Sequence, residues 1–241
     1  MTDSTILLVL PVMFLGSIIS TVAGGGLGIM ALLLSTLFFD IRFSIVLSSF
    51  MMVAIQIAKF TYFHSLISWR TVRWYVVLGI PFSYVGGYLL FVIPENIPKI
   101  AIVVFCFLFV ALRILKLQPK VSPTRTNLLL FGAINGAIGG LIGNASLMRL
   151  PVLLSMGFTK GAFIGTSTAI AFPMNIAKIA AYIPNVSWTN DMIIILLSSI
   201  PLFLLGVGVG KRILRHISSS LFEDLLTGII FIGALRLLFT L

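Results

Sequence analysis

The chain has 241 residues, of which 59% are hydrophobic and only 9% are charged, and its formal net charge is +10. Soluble domains carry a charge at about a quarter of their positions. This composition excludes a soluble enzyme, a disordered interaction protein and a nucleic-acid binder, so we expect no nucleic-acid partner. The lipid bilayer is the expected solvent, and the placement of the basic residues then reports on topology.

The first half of the chain begins with an apolar stretch that is too long for one crossing. A bilayer needs about 20 apolar helical residues, whereas this stretch covers 5–39 and is interrupted at Gly24, Gly25, Gly26 and Gly28. Because glycine weakens a helix and permits unusual backbone angles, we predict a hairpin or a broken helix here. Three simple spans follow, at 43–63, 72–92 and 99–117.

The second half has the same order of elements. A stretch at 127–158 is interrupted by Gly139, Gly140, Gly143 and Asn144, and we interpret it as a second hairpin or broken helix. The spans that follow are 160–182, 191–210 and 221–241. The predicted fold class is therefore an all-α integral membrane protein.

Short motifs recur between the halves. The sequence Gln-Ile-Ala-Lys ending at Lys59 returns as Asn-Ile-Ala-Lys ending at Lys178, and Ser68-Trp69 returns as Ser187-Trp188. Both pairs are 119 residues apart. A co-linear series at one offset indicates a duplication, so we predict two repeats, 1–120 and 121–241.

The distribution of basic residues between the loops predicts how each repeat is oriented in the membrane. If each broken stretch leaves on the side where it entered, each repeat makes three net crossings and the two repeats are inverted. Because cytoplasmic loops collect Lys and Arg, the crowded side is predicted to be cytoplasmic and both termini extracytoplasmic. Nine basic residues then lie on one side, and Arg42 and Lys99 on the other. The nine are Arg70, Arg73, Lys116, Lys120, Arg125, Lys160, Lys211, Arg212 and Arg215.

These motifs resemble the TauE/SafE sulfite exporter family. The residues concerned are the glycine-rich break, Arg149-Leu150-Pro151-Val152-Leu153, Gly165-Thr166-Ser167 and Asn185-Val186-Ser187-Trp188, with weaker copies in the first half. The resemblance implies a multi-pass permease of the cytoplasmic membrane that exports sulfite, sulfoacetate or related organosulfonates. The alternatives are an uptake permease for another small anion and a membrane accessory subunit without transport activity. A homo-oligomer is left open.

The two glycine breaks are candidate substrate-binding sites. A helix that starts after a break presents unpaired N–H groups and the positive end of its dipole, which suits an anion. Inside a membrane such groups must be buried or line a cavity. The alternative is close helix packing by small residues.

Three basic residues inside apolar segments are further candidates, namely Lys59, Lys178 and Arg149. Charges at membrane depth are costly without a partner, and an anionic substrate could be that partner. The alternative is that the long side chains extend to the headgroups. Polar residues on the same helices could line the same path, although Ser and Thr also bond their own helix backbone; they are Gln56, Asn175, Ser48, Ser49, Thr166 and Ser167.

Acidic residues are informative by their placement. All six lie near predicted span ends or loops, which disfavours a cation transporter. No paired carboxylates, HExxH helix or serine with a nearby base is visible, so we expect neither an enzyme nor a metal or cofactor. The six are Asp3, Asp40, Glu95, Asp191, Glu223 and Asp224.

Overall fold

The computed structural model describes residues 39–115, 124–158, 160–190 and 219–239, together with isolated positions at 14, 32–33, 35–37, 122 and between 193 and 212. The described residues are helical and contain no strand. Seven helices are described, and three 3₁₀ turns join them. The helices are α1 (Ile41–Phe63), α2 (Trp69–Val92), α3 (Asn96–Ile114), α4 (Arg125–Ile142), α5 (Arg149–Ser155), α6 (Lys160–Tyr182) and α7 (Ser219–Leu238).

The predicted spans correspond to these helices with small shifts at their ends. The α1 helix begins two residues before the predicted 43, because the Asp40 side chain accepts a hydrogen bond from the Phe43 N–H and caps the helix. The α6 helix has the predicted bounds, 160–182. Most of 5–39 and of 191–210, including the break at Gly24–Gly28, lies outside the described residues.

Helices α2 and α4 pack in parallel through glycines. A methyl group at Gly132, Gly136 or Gly140 of α4 would collide with the backbone carbonyl of Tyr75, Gly79 or Ser83 of α2, respectively. The contacts advance along both helices in the same direction, so the two helices start at the same end of the molecule. The missing side chains allow backbone-to-backbone approach, as is common between membrane helices.

After α4 the chain turns back towards the end of the molecule where α2 and α4 begin. Gly143 terminates α4 with a φ of 80°, a left-handed conformation that favours glycine. A 3₁₀ turn at Ser146–Met148 leads into α5, whose Val152 and Leu153 pack against Val72 near the start of α2. Residues 125–155 therefore form a hairpin whose second arm is short.

Helices α1 and α6 are equivalent in length and lie antiparallel. Each has 23 residues, they begin 119 residues apart, and each continues into a three-residue 3₁₀ turn. The start of α6 lies at the end of α1, since a methyl group at Gly165 would meet the Phe63 carbonyl. The Thr166 hydroxyl also accepts a hydrogen bond from the Ser68 N–H, just beyond α1.

The hydrophobic core fills the space around these helices. One cluster joins α3 and α7 to the C-terminal ends of α2 and α6, and its buried residues include Leu90, Cys106, Tyr182 and Ile230. Within the described residues, α2 is the one helix long and apolar enough to cross a membrane, while Ile41–Ile57 and Asn96–Leu112 are shorter apolar helical segments.

Candidate functional site

A cavity of about 70 Å³ lies between α1 and α6, with α2, α4 and the start of α5 closing its other sides. Its apolar lining comes mainly from methionine, alanine and isoleucine side chains. Its polar lining brings together side chains from both halves of the chain. These polar residues are Gln56, Lys59, Ser83, Asn135, Asn144, Ser146, Arg149, Ser167, Thr168, Asn175 and Lys178.

The guanidinium of Arg149 is held in place by two neutral side chains. Arg149 is the first residue of α5 and is only 8% exposed. Its Nε donates to the Ser167 hydroxyl and its Nη1 to Asn135 Oδ1, both at 3.1 Å. The Asn135 amide in turn donates to the Ala145 carbonyl at 2.6 Å, which links α4 to the break. Arg149 therefore does not extend to the surface, and its positive charge faces the cavity.

Lys178 enters the cavity from α6 and is 2% exposed. Its ammonium donates a hydrogen bond to the carbonyl of Gly143, the residue that ends α4. Lys59 enters from α1 and is half-buried. Both lysines line the same cavity as Arg149, and like charges placed together in a low-dielectric interior repel. Three basic side chains thus meet at one site.

No carboxylate among the described residues lines this cavity. The Glu95 carboxylate lies 3.6 Å from the Arg42 guanidinium outside the cavity, and Asp40 caps α1. The described residues contain no group of three or more His, Cys, Asp or Glu side chains that could hold a metal ion. In the described part of the chain, the basic side chains of the cavity therefore have only neutral hydrogen-bond partners and no counter-charge.

The amides of the cavity differ in how they are satisfied. Asn144 Oδ1 accepts a hydrogen bond from the Ser146 N–H at 2.7 Å, so this amide stabilises the break. Gln56 is 7% exposed, and its Oε1 is buried without a hydrogen-bond partner among the described residues. A buried polar group without a partner costs free energy. This oxygen is an acceptor, so it is available to a ligand that donates a hydrogen bond.

The remaining predicted site residues differ in whether they line the cavity. Gly139 lines the cavity, whereas the neighbouring Gly140 packs on α2 and its carbonyl accepts the Tyr182 hydroxyl. The hydroxyls of Ser48 and Ser49 donate to the Ile45 carbonyl of their own helix. These two serines and Thr166 are not among the lining residues.

Sequence reasoning missed four polar lining residues, namely Ser83, Asn135, Ser146 and Thr168. Asn135 is an amide in an apolar stretch, one helical turn before Gly139, and that isolation is the signal that could have identified it. The Ser83 hydroxyl donates to the Met174 carbonyl at 2.7 Å and links α2 to α6. No sequence pattern distinguishes Ser83 from the other serines.

The fold and the cavity define a class of protein: a helical bundle with an internal basic cavity and an apolar exterior. Residues 9–237 of the chain match the family described as Sulfite exporter TauE/SafE, so the chain belongs to the TauE/SafE sulfite exporter family. This confirms the resemblance found in the sequence. The family consists of exporter-type anion permeases of membranes, which are transporters and not enzymes. Searches of curated proteins and of solved structures gave no match.

Proposed function

We propose that this protein moves a small oxyanion of sulfur across the cytoplasmic membrane through the cavity between α1 and α6. The observation that carries the proposal is the meeting of three basic side chains, Lys59, Arg149 and Lys178, in a cavity with no carboxylate among its described lining residues. Uncompensated charge is costly in a low-dielectric interior. A bound anion would relieve that cost, whereas a cation would increase it.

The cavity size favours a compact substrate. A volume of about 70 Å³ has room for about five water molecules, since each needs about 10–15 Å³ measured in this way. This corresponds to an anion of about four to six non-hydrogen atoms. Sulfite and the smallest organosulfonates fall in this range, and a sulfonate with a longer chain would need the cavity to widen.

The hydrogen-bond donors suit several oxygens at once. Two of the five N–H groups that a guanidinium carries are used by Ser167 and Asn135. The donors left over can bind two oxygens of a sulfite or sulfonate group through the planar fork that also suits carboxylate and phosphate. The Lys59 ammonium supplies further donors from the opposite side.

Alternating access around inverted repeats is the proposed mechanism. Two repeats, 1–120 and 121–241, would each contribute one wall of the cavity. The equal lengths, the offset of 119 residues and the antiparallel packing of α1 and α6 support this arrangement. In secondary transporters of this design the substrate site lies near the midplane, and one repeat rocks against the other.

The loop charges support a multi-pass topology in the cytoplasmic membrane. Helices α2, α4 and α6 start at one end of the molecule, where Arg70, Arg73, Arg125 and Lys160 lie. By the positive-inside rule this end would face the cytoplasm, and both termini would lie outside. The family description as an exporter supports outward transport.

Efflux from proteoliposomes that contain only the purified protein tests the proposal. Proteoliposomes loaded with labelled sulfite should release it faster than protein-free vesicles with the same load. A short organosulfonate added on either side should compete with sulfite and slow its efflux. Lys99→Gln is the matched control, because it removes a positive charge outside the cavity and should leave efflux unchanged. Equal efflux with and without protein would contradict the proposal and favour an accessory subunit. Selective transport of a cation or a neutral solute would also contradict it.

A further inference from the structure

A second cluster of basic residues lies outside the cavity, where α2 and α4 begin. The Arg73 guanidinium lies 5.2 Å and the Arg125 guanidinium 5.0 Å from the centre of the Trp74 ring. We call Arg73, Trp74 and Arg125 the Trp74 cluster. Arg73 is in the second turn of α2, and Arg125 is the first residue of α4. The parallel packing of these helices is what brings the two arginines to one indole.

The charges of the Trp74 cluster have no acidic partner in the described part of the chain. Neither arginine forms an ion pair or a hydrogen bond with a described residue, and both are exposed. The buried Nε1 of Trp74 also lacks a hydrogen-bond partner in the described part of the chain. The positive ends of two helix dipoles point the same way here. Cation–π contacts hold both guanidinium groups against one indole, so two positive charges are presented together to an anion.

The chemistry of the cluster fits a phosphate group. A guanidinium forms paired, charge-assisted hydrogen bonds with phosphate oxygens, and two guanidiniums on one ring can bind the same group. Tryptophan is typical of the boundary between lipid and water. Because α2 is apolar and long enough to cross a membrane, its first turns fall at that boundary.

The apolar surface next to Arg73 favours a lipid over a free phosphate. Val77 and Ile80 follow Arg73 on the same face of α2 and are 51% and 36% exposed. They offer a path for an acyl chain directly beyond the arginine. The proposed topology places this end in the cytoplasm, where anionic lipids attract basic residues near the surface.

From this juxtaposition we propose that the Trp74 cluster binds one anionic phospholipid of the cytoplasmic leaflet. Its phosphate lies between Arg73 and Arg125, and an acyl chain lies along Val77 and Ile80. The lipid joins the start of α2 to the start of α4. This site is separate from the transport cavity, so binding is measurable without any transport assay.

Thermal unfolding of the detergent-purified protein tests this lipid site. Phosphatidylglycerol should raise the unfolding temperature in a saturable way, and phosphatidylcholine with the same acyl chains should not. The R73Q/R125Q variant should bind phosphatidylglycerol at least about tenfold more weakly, because each charge-assisted hydrogen bond to phosphate contributes at least that factor. R70Q is the matched control, since Arg70 is exposed at the same end but does not lie over the ring; it should bind like the unaltered protein.

Three results would overturn the lipid proposal. They are equal binding of phosphatidylglycerol by R73Q/R125Q and R70Q, equal stabilisation by phosphatidylcholine, and equal stabilisation by water-soluble glycerol phosphate. The last would identify a site for free phosphate. A single size-exclusion peak and a cooperative thermal unfolding transition show whether R73Q/R125Q is folded. If it is not, R125Q alone is compared with R70Q, and equal binding again overturns the proposal.

Discussion

The two walls of the cavity are built from helices of equal length but are held differently. On the α6 side, Lys178 donates to the Gly143 carbonyl and Arg149 to Asn135 and Ser167. On the α1 side, neither Gln56 Oε1 nor Lys59 forms a hydrogen bond with a residue that the structure describes. Lys59 and Lys178, which lie 119 positions apart, therefore have different surroundings. The α6 wall is anchored before any ligand arrives, whereas the α1 wall has groups to offer to one.

The anchored wall depends on the close packing of α4 on α2, and breaking that packing should have the largest effect. In Gly140→Ala the new methyl group would collide with the α2 backbone at Ser83 and Gly87. Overpacking costs about 1–3 kcal/mol or more, and we expect loss of folded protein in size-exclusion chromatography and thermal unfolding. Gly139→Ala is the matched control, because its methyl group would lie 3.6 Å from the Ala145 side chain, an ordinary contact. Equal stability of the two variants would show that α4 is not held in this way.

Removing the anchored guanidinium should have the next largest effect. Arg149→Gln should weaken sulfite binding by about ten- to a hundredfold, since a hydrogen bond to a charged group is worth about 1.5–3 kcal/mol. Arg149→Lys should not restore binding, because an ammonium lacks the planar fork. Titration of purified protein by calorimetry measures both changes. Unaltered affinity in Arg149→Gln would exclude the guanidinium as a ligand group.

The two lysines provide the sharpest comparison between the walls. Lys59→Gln and Lys178→Gln should each weaken sulfite binding by about tenfold or more. Only Lys178→Gln should increase amide hydrogen exchange around Gly143, because only Lys178 holds that carbonyl. Exchange measured by mass spectrometry separates the two. Equal exchange in both variants would contradict the distinction between an anchored and an available wall.

The smallest effect is expected at Gln56. Gln56→Met removes a buried oxygen that has no partner among the described residues, so the free energy of unfolding should stay the same or rise slightly. Sulfite affinity should change by less than about twofold, because the unpartnered atom is an acceptor and cannot donate a hydrogen bond to an anion. Thermal unfolding and calorimetry test the two parts. A large loss of stability would mean that the Gln56 amide is part of the anchored structure instead.

Much of the helical architecture could be predicted from apolar length alone. The start of α2 differs, because the sequence prediction began after Arg70 at residue 72, whereas the helix begins at Trp69. Exposed basic residues can occupy the first turn of a helix that continues into lipid. The cavity likewise includes many of the predicted site residues, namely Gln56, Lys59, Gly139, Asn144, Arg149, Ser167, Asn175 and Lys178.

The class of the protein, its helices and its isolated basic residues could be predicted from the sequence, because hydropathy, glycine breaks and isolated charges are local properties of the chain. Tertiary packing sets which polar groups meet and whether a basic side chain faces the cavity or the headgroups. Adjacent Gly139 and Gly140 face the cavity and α2, respectively, and the hydroxyls of Ser48 and Ser49 bond their own helix. Asn135 became the partner of Arg149 because the hairpin returns over itself. Side-chain direction depends on the rotation and pairing of packed helices, which distant segments set together.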